Sequence, residues 1–169
     1  RDKSFWVGPL VVQTTLTPAT LPYTEDFEQN PSFAYQNDTH NKWIVGNAVN
    51  NGGNKALYIS NDNGVSNKYT FNKNQIVHAY KNIHIPANLE QLEISFDWRS
   101  QGEQQYDSRA RENVGVDFVK AWIVPLSYIP EAGVSVASSN QAVAIDERGF
   151  FNSRTFQRFQ TRMDILPSK

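Results

Sequence analysis

Cysteine is absent from the 169 residues, and methionine occurs once. Without Cys there are no disulfides, no thiolate nucleophile and no zinc ribbon, and the compartment stays open because many exported bacterial proteins also lack disulfides. Charge of one sign is not in excess either: 16 Lys and Arg stand against 17 Asp and Glu, a formal net charge of −1. DNA, RNA or an anionic membrane would call for a basic stripe, and none is written here, so nucleic-acid binding is excluded as a reading. No run of about 18 apolar residues offers a membrane span, so membrane insertion is not expected. Apolar spacing of three and four is nowhere sustained over three turns, and no repeat of 20 to 50 residues is visible. Helix content should be low.

What the chain does have is aromatic residues and turns. Ten Phe and seven Tyr favour strands over helices. Of 17 Asn, 14 fall between Asn30 and Asn88, and Asn closes turns through its own side chain and tolerates left-handed backbone. That half should be dense in turns. The clearest strand is Leu92 to Trp98: Leu92, Ile94, Phe96 and Trp98 alternate with Glu93, Ser95, Asp97 and Arg99, which places an apolar row on one face and a charged row on the other. It reads as a central strand, and it leaves the sheet through Gly102 onto a polar loop that carries Glu103 and Asp107.

About this strand the rest falls into order. Residues 1–20 read as an N-terminal strand and linker. Trp6, Val7, Leu10, Val11 and Val12 surround Gly8-Pro9, either as a first strand or as the end of a preceding domain, since the run is similar to the closing strand of a fibronectin type III domain. Leu16 to Pro22 is a Thr/Pro connector that cannot be helical and should hold its neighbours apart. Residues 21–169 read as one sandwich domain. Tyr23 to Glu28, if extended, puts Asp26 and Glu28 on one face. Trp43 is an expected core anchor, and Lys55 to Ser60 a strand with Leu57 and Ile59 on one face. Asn61 to Asn67 is a tight loop around Gly64. Ile76 to Ile85 reads as a strand kinked near Lys81. Val114 to Val124, apolar on nearly both sides, reads as a strand buried on two faces. Val134 to Ile145 is an expected crossing loop, and Phe150 to Leu166 a last strand through Phe159, Met163 and Ile165. About nine short strands separated by Gly, Asn and Pro turns give the expected fold class: all-β, an antiparallel sandwich of jelly-roll, concanavalin-like type.

The order of landmarks carries a resemblance. LPYTEDFE, Trp43, NGGNKALYISNDNGVSNKY, VHAYKNIHIP, LEISFDWRSQGEQQYD and an apolar run ending IVP follow one another as in the choice-of-anchor J family, jelly-roll modules similar to cleaved-adhesin and MAM domains. The match covers residues 21–126 and extends more loosely to 166. The resemblance implies a non-catalytic extracellular module of a secreted or surface-anchored bacterial protein, of the kind exported by type IX secretion, with a structural calcium ion as its cofactor. It also marks a departure. Such domains continue into a further apolar strand and an acidic motif like AIDNI, which do not follow Lys169, so the expected sandwich lacks its closing strands or has them supplied by the parent chain or another chain. With no signal peptide before Arg1, the chain reads as an excerpt of a longer polypeptide.

Calcium takes six to eight hard oxygen ligands. The candidates are Asp26 and Glu28, which match the family's metal-associated Asp-Phe-Glu motif, then Glu103 and Asp107, then Asp62 between two Asn, and Asp97, which points away from Trp98. Each also reads as a solvated carboxylate or a turn cap. Tyr106, between Glu103 and Asp107, is the candidate for stacking on a sugar ring, against ordinary packing. The expected partner is a protein or a glycan at the cell surface, with a carbohydrate-binding module of a larger enzyme as the alternative and a glycoside hydrolase fragment as the third reading. Two carboxylates about 5 to 10 Å apart would serve hydrolysis, but no Glu-x-Asp-x-x-Glu strand pattern presents them. His40, His78 and His84 lack zinc spacing. No Gly-x-Ser-x-Gly elbow occurs, and NNGGN lacks the Lys-Ser/Thr and helix of a phosphate loop.

Overall fold

A computed structural model describes residues 16–29 and 31–165. The readings placed on residues 1–15, including the strand through Trp6 to Val12, lie outside the described residues. The chain is all-β, an antiparallel sandwich of short ladders with no closed barrel among the described residues. Its strands are β1 (Ala19–Thr20), β2 (Ala34–Gln36), β3 (Lys42–Gly46), β4 (Ala56–Ser60), β5 (His78–Tyr80), β6 (Ile83–His84) and β7 (Gln91–Ser100). They continue with β8 (Gln104–Asp107), β9 (Glu112–Gly115), β10 (Trp122–Ile123), β11 (Val143–Ala144) and β12 (Ser153–Asp164). The described helix is one 3-10 turn, Val136–Ser138, inside the expected crossing loop.

The long ladder is β7 with β12, antiparallel from Gln91↔Asp164 to Ser100↔Ser153 with an irregularity before Gln157. The alternation read in the sequence is the alternation of exposure along β7: its even residues turn inward and its odd ones outward. Inside, Phe96, Trp98 and Phe159 close on Phe150, 3% exposed, with ring centroids 5.1, 5.2 and 5.0 Å from it. Tilted and edge-on rings at such distances are the preferred aromatic geometry. Outside, the charges pair across the strands: Arg162 Nε lies 2.9 Å from Glu93 Oε2 and Arg158 Nη1 3.1 Å from Asp97 Oδ1. The β10–β11 ladder, paired through Trp122↔Ala144 and Ile123↔Val143, faces the Leu92–Met163 end of the inner surface.

The Asn-rich half is folded by side-chain to backbone bonds. Asn41, 6% exposed, receives Thr70 N–H at 2.8 Å and donates to Gln75 Oε1 at 2.7 Å, so one buried amide holds the 70–75 loop against the start of β3. Trp43 is half-buried, and its indole N–H donates to Val77 O. Along β4 the buried residues are Tyr58 and Ser60, while Leu57 and Ile59 on the opposite face stay half-buried. The hydroxyls decide this: Tyr58 donates to Gly64 O at 2.8 Å, and Ser60 Oγ accepts from Gly64 N at 2.9 Å, so the following loop folds over that face.

Three expectations are corrected. Tyr23 to Glu28 is not extended, because Phe27 has φ +64° and the carboxylates of Glu25 and Asp26 accept the N–H groups of Phe27 and Glu28. The carboxylates bend the chain locally and so break the period of two that would have put Asp26 and Glu28 on one face. Val114 to Val124 is not one buried strand. It divides into the end of β9, an isolated bridge from Val119 to Phe150, and β10, with Val116 45% and Phe118 52% exposed. The chain turns there because Glu103 O receives both Val116 N–H and Asp117 N–H. Finally, the Leu16 to Pro22 connector does not stand off from its neighbours: β1 pairs in parallel with β6, and Asn82 O accepts Ala19 N–H.

Candidate functional site

The candidate site is the β8–β9 hairpin, which leaves the core where β7 ends; among the described residues β7 is one half of a two-stranded ladder, not a central strand, and the stretch expected as a polar loop is itself strand-paired. Gly102 permits that exit. A Cβ there would meet Asp117 Cβ at 2.6 Å and its carbonyl oxygen at 2.9 Å, so a larger residue would push the two strand roots apart. Asp117 is the knot beneath the hairpin. Its carboxylate accepts Tyr69 O–H at 2.7 Å and Glu103 N–H at 3.2 Å. Burial, and then the bond to Asp117, push the Tyr69 hydroxyl up to about 12, so it stays a neutral donor at any physiological pH.

From that root the ladder runs Gln104↔Gly115, Gln105↔Val114, Tyr106↔Asn113 and Asp107↔Glu112. Opposed residues of an antiparallel pair share a face. Gln104, Tyr106, Asn113 and Gly115 therefore occupy one side, and Gln105, Asp107, Glu112 and Val114 the other. The turn is closed by Asp107, whose Oδ1 accepts Arg109 N–H at 2.7 Å and Ala110 N–H at 3.2 Å, and by Arg111 in left-handed backbone at φ +57°. Beside the turn, Gln105, Asp107, Ser108, Arg109 and Val114 border an open groove of about 360 Å³, with Tyr106 on its lining. The Tyr106 side is neutral, and Tyr106 itself is 62% exposed.

The sequence candidates fall in three separate places. Glu28 is the clamp of the NNGGN turn. Its carboxylate accepts the N–H groups of Asn54 and Lys55, at 2.6 and 2.9 Å, and the Asn54 amide. Those bonds, Lys55 N–H first, hold it below the ordinary glutamate range. Asp26 caps the backbone of Glu28 itself. Asp62 organises the Gly64 loop, accepting Ser66 O–H at 2.6 Å, Ser60 O–H at 2.7 Å and Ser66 N–H at 2.9 Å. These donors, led by the Ser66 hydroxyl, lower its pKa to about 2. Glu103, Tyr106 and Asp107 lie on one hairpin, with Asp107 on the face opposite Tyr106.

Among the described residues no three His, Asp or Glu side chains converge on a point that would suit a metal ion. The donor chemistry agrees: Asp26, Asp62 and Asp107 already accept N–H and O–H bonds in their own turns, and Glu28 accepts those of Asn54 and Lys55. As arranged they are turn caps, and a calcium ion would have to displace those donors, so no step of function is routed through it. Glu103 and Asp107 stand four residues apart along nearly extended chain, about 13 Å between their Cα atoms. The histidines are spread out: His40 bonds within the 39–75 cluster, His78 Nε2 lies 3.0 Å from Val134 O and 3.1 Å from Glu131 O, and His84 is exposed on β6. Sequence reasoning missed Asp117, Asn113 and Phe151. Asp117 had no local signal, since its partner Tyr69 lies 48 residues away. Asn113 becomes visible once the hairpin register sets it across from Tyr106.

Compared with models of known families, with curated proteins and with solved structures, the chain matches none. Among the described residues no helix is long and apolar enough to cross a membrane.

Proposed function

We propose that this chain is a non-catalytic adhesion or interaction module of a larger secreted or surface-anchored bacterial protein, and that it works by holding the β8–β9 hairpin out from a rigid sandwich. The observation that carries this reading is the contrast in commitment of polar groups. On the β7–β12 ladder Glu93, Ser95 and Asp97 are bonded to side chains of the neighbouring strand and of the Asn51 loop. On the hairpin, Gln104, Gln105, Tyr106, Ser108 and Asn113 present side chains with no hydrogen-bond partner among the described residues, and Tyr106 is the most exposed aromatic after Phe71. A module that binds needs such unspent donors and acceptors on a stiff support. The resemblance to choice-of-anchor J modules supports the same reading and supplies its extracellular setting.

The test is attachment. The labelled 169-residue chain is offered to intact cell surfaces and to immobilised extracellular matrix, beside a variant in which residues 105–113 are replaced by a two-residue turn. The full chain should be retained and the shortened one released, with no turnover of fluorogenic glycosides by either. Equal retention of the two, or turnover abolished by Glu103→Gln, would overturn the proposal. The structural calcium ion belongs to the proposal through the resemblance alone. It is tested by the thermal midpoint with and without chelator: an ion at about 100 times its dissociation constant adds roughly 2.7 kcal/mol, and an unchanged midpoint removes it.

A further inference from the structure

We infer that the Tyr106 face of the hairpin is a binding site for a neutral glycan, with a pyranose ring stacked on Tyr106 and its hydroxyls held by the side-chain amides of Asn113 and Gln104. The inference rests on the interaction reading above and names its ligand class.

Four observations carry it. First, register places Tyr106 directly opposite Asn113, with Gln104 two residues back on the same side and Gly115 opposite Gln104. Second, the glycine lets an aromatic ring lie on the sheet: a Cβ on Gly115 would stand 2.6 Å from Phe151 Cγ and 3.0 Å from its Cδ1. Phe151, half-exposed, therefore covers the root of the same face that Tyr106 occupies further out. The two rings are two residue steps apart along the hairpin, about 7 Å. Third, none of the strand residues on this face is charged: Asp107 and Glu112 project from the other one, and the charges nearest Tyr106 are those of Asp107 and Arg109 in the groove it lines. Fourth, both amides lack hydrogen-bond partners among the described residues.

A sugar ring has an axial C–H face that is apolar and an equatorial girdle of hydroxyls that each donate and accept. An aromatic ring flanked by carboxamides, which also donate and accept, is the complementary surface. The strand residues of this face carry no formal charge, so recognition there falls to the aromatic ring and the carboxamides. Size separates a glycan from a protein partner. Four residue pairs make a platform of roughly 13 by 10 Å, about 130 Å², whereas a stable protein interface takes about 800 Å² from each partner. A short oligosaccharide fits the smaller figure.

The experiment is a glycan array probed with the labelled 169-residue chain, followed by titration calorimetry on a retained neutral oligosaccharide. Tyr106→Ala should weaken binding about tenfold or more, and Asn113→Ala by several-fold. Tyr106→Phe, which keeps the ring, should bind within about threefold of the parent, and Glu112→Gln, on the opposite face, should bind as the parent does. Circular dichroism confirms that each variant is folded. Retention of no neutral glycan overturns the inference, as does undiminished binding by folded Tyr106→Ala. If no glycan is retained while the hairpin-shortened chain still loses surface attachment, the ligand class is wrong and the interaction reading stands. If the shortened chain attaches like the parent, the reading itself fails.

Discussion

The β7–β12 ladder and the β8–β9 hairpin are both antiparallel pairs rich in polar residues, yet they spend those residues differently. On the ladder Glu93 is bonded by Gln160 and Arg162, Asp97 by Arg158 and Asn51, and Ser95 by Arg158. On the hairpin the side-chain bonds are those of the root, through Glu103 and Asp117, of the turn, through Asp107, and of Glu112, which pairs with Arg148 at 3.2 Å. The middle is left unbonded. A polar strand face is thus no sign of function by itself; what distinguishes the two regions is whether the neighbours have used the groups.

The comparison can be broken at its strongest point first. Phe150→Ala opens the aromatic cluster on the inner face of the ladder and should cost about 3–5 kcal/mol in urea unfolding; a cost under 1 kcal/mol would show that the rings do not carry the scaffold. Asn41→Ala leaves Thr70 N–H and Gln75 without a partner in a buried place and should cost about 1–3 kcal/mol. An exposed loop carboxylate supplies a pH signature. Because the pKa of Asp62 is lowered when folded, its contribution is present above the unfolded value near 4 and is lost as pH falls toward about 2. Asp62→Asn should therefore lower the thermal midpoint at pH 7 and make little difference at pH 2. The ladder's outer pairs are 37–70% exposed, so Arg162→Ala should cost less than about 1 kcal/mol, and less still at 1 M salt. Smallest of all, Tyr106→Ala should change stability by no more than about 0.5 kcal/mol while it weakens glycan binding about tenfold or more. A large loss of stability there would make the hairpin part of the core and erase the contrast.

How much of this was legible depended on sequence distance. Leu92 to Trp98 was readable because its period of two is imposed by one continuous aromatic surface, and β12 was readable for the same reason. The hairpin was half legible: Glu103, Tyr106 and Asp107 stood out by residue type, but the returning strand was hidden in an apolar run that suggested burial. Apolarity there reports Val119 and Trp122 packing inward, while Val116 and Phe118 stay largely outside because Asp117 ties the chain to Glu103. For the carboxylates the sequence offered no sign of their partners. Glu28 meets Asn54 26 residues away, and no local pattern encodes that meeting. Phe27 was misread for the opposite reason: its left-handed backbone comes from bonds within two residues, which a pattern of alternation overrides on paper and the carboxylates override in the chain.

Arg109 and Arg111 flank the hairpin's turn, where both are exposed and where the backbone is fastened mainly by the single carboxylate of Asp107. A trypsin-like protease should consequently nick the molecule there before it reaches the paired arginines of the long ladder. The cleavage rate at that one spot then becomes a gauge of occupancy, falling when something sits on the hairpin, so ligands can be screened by gel before any of them has been named.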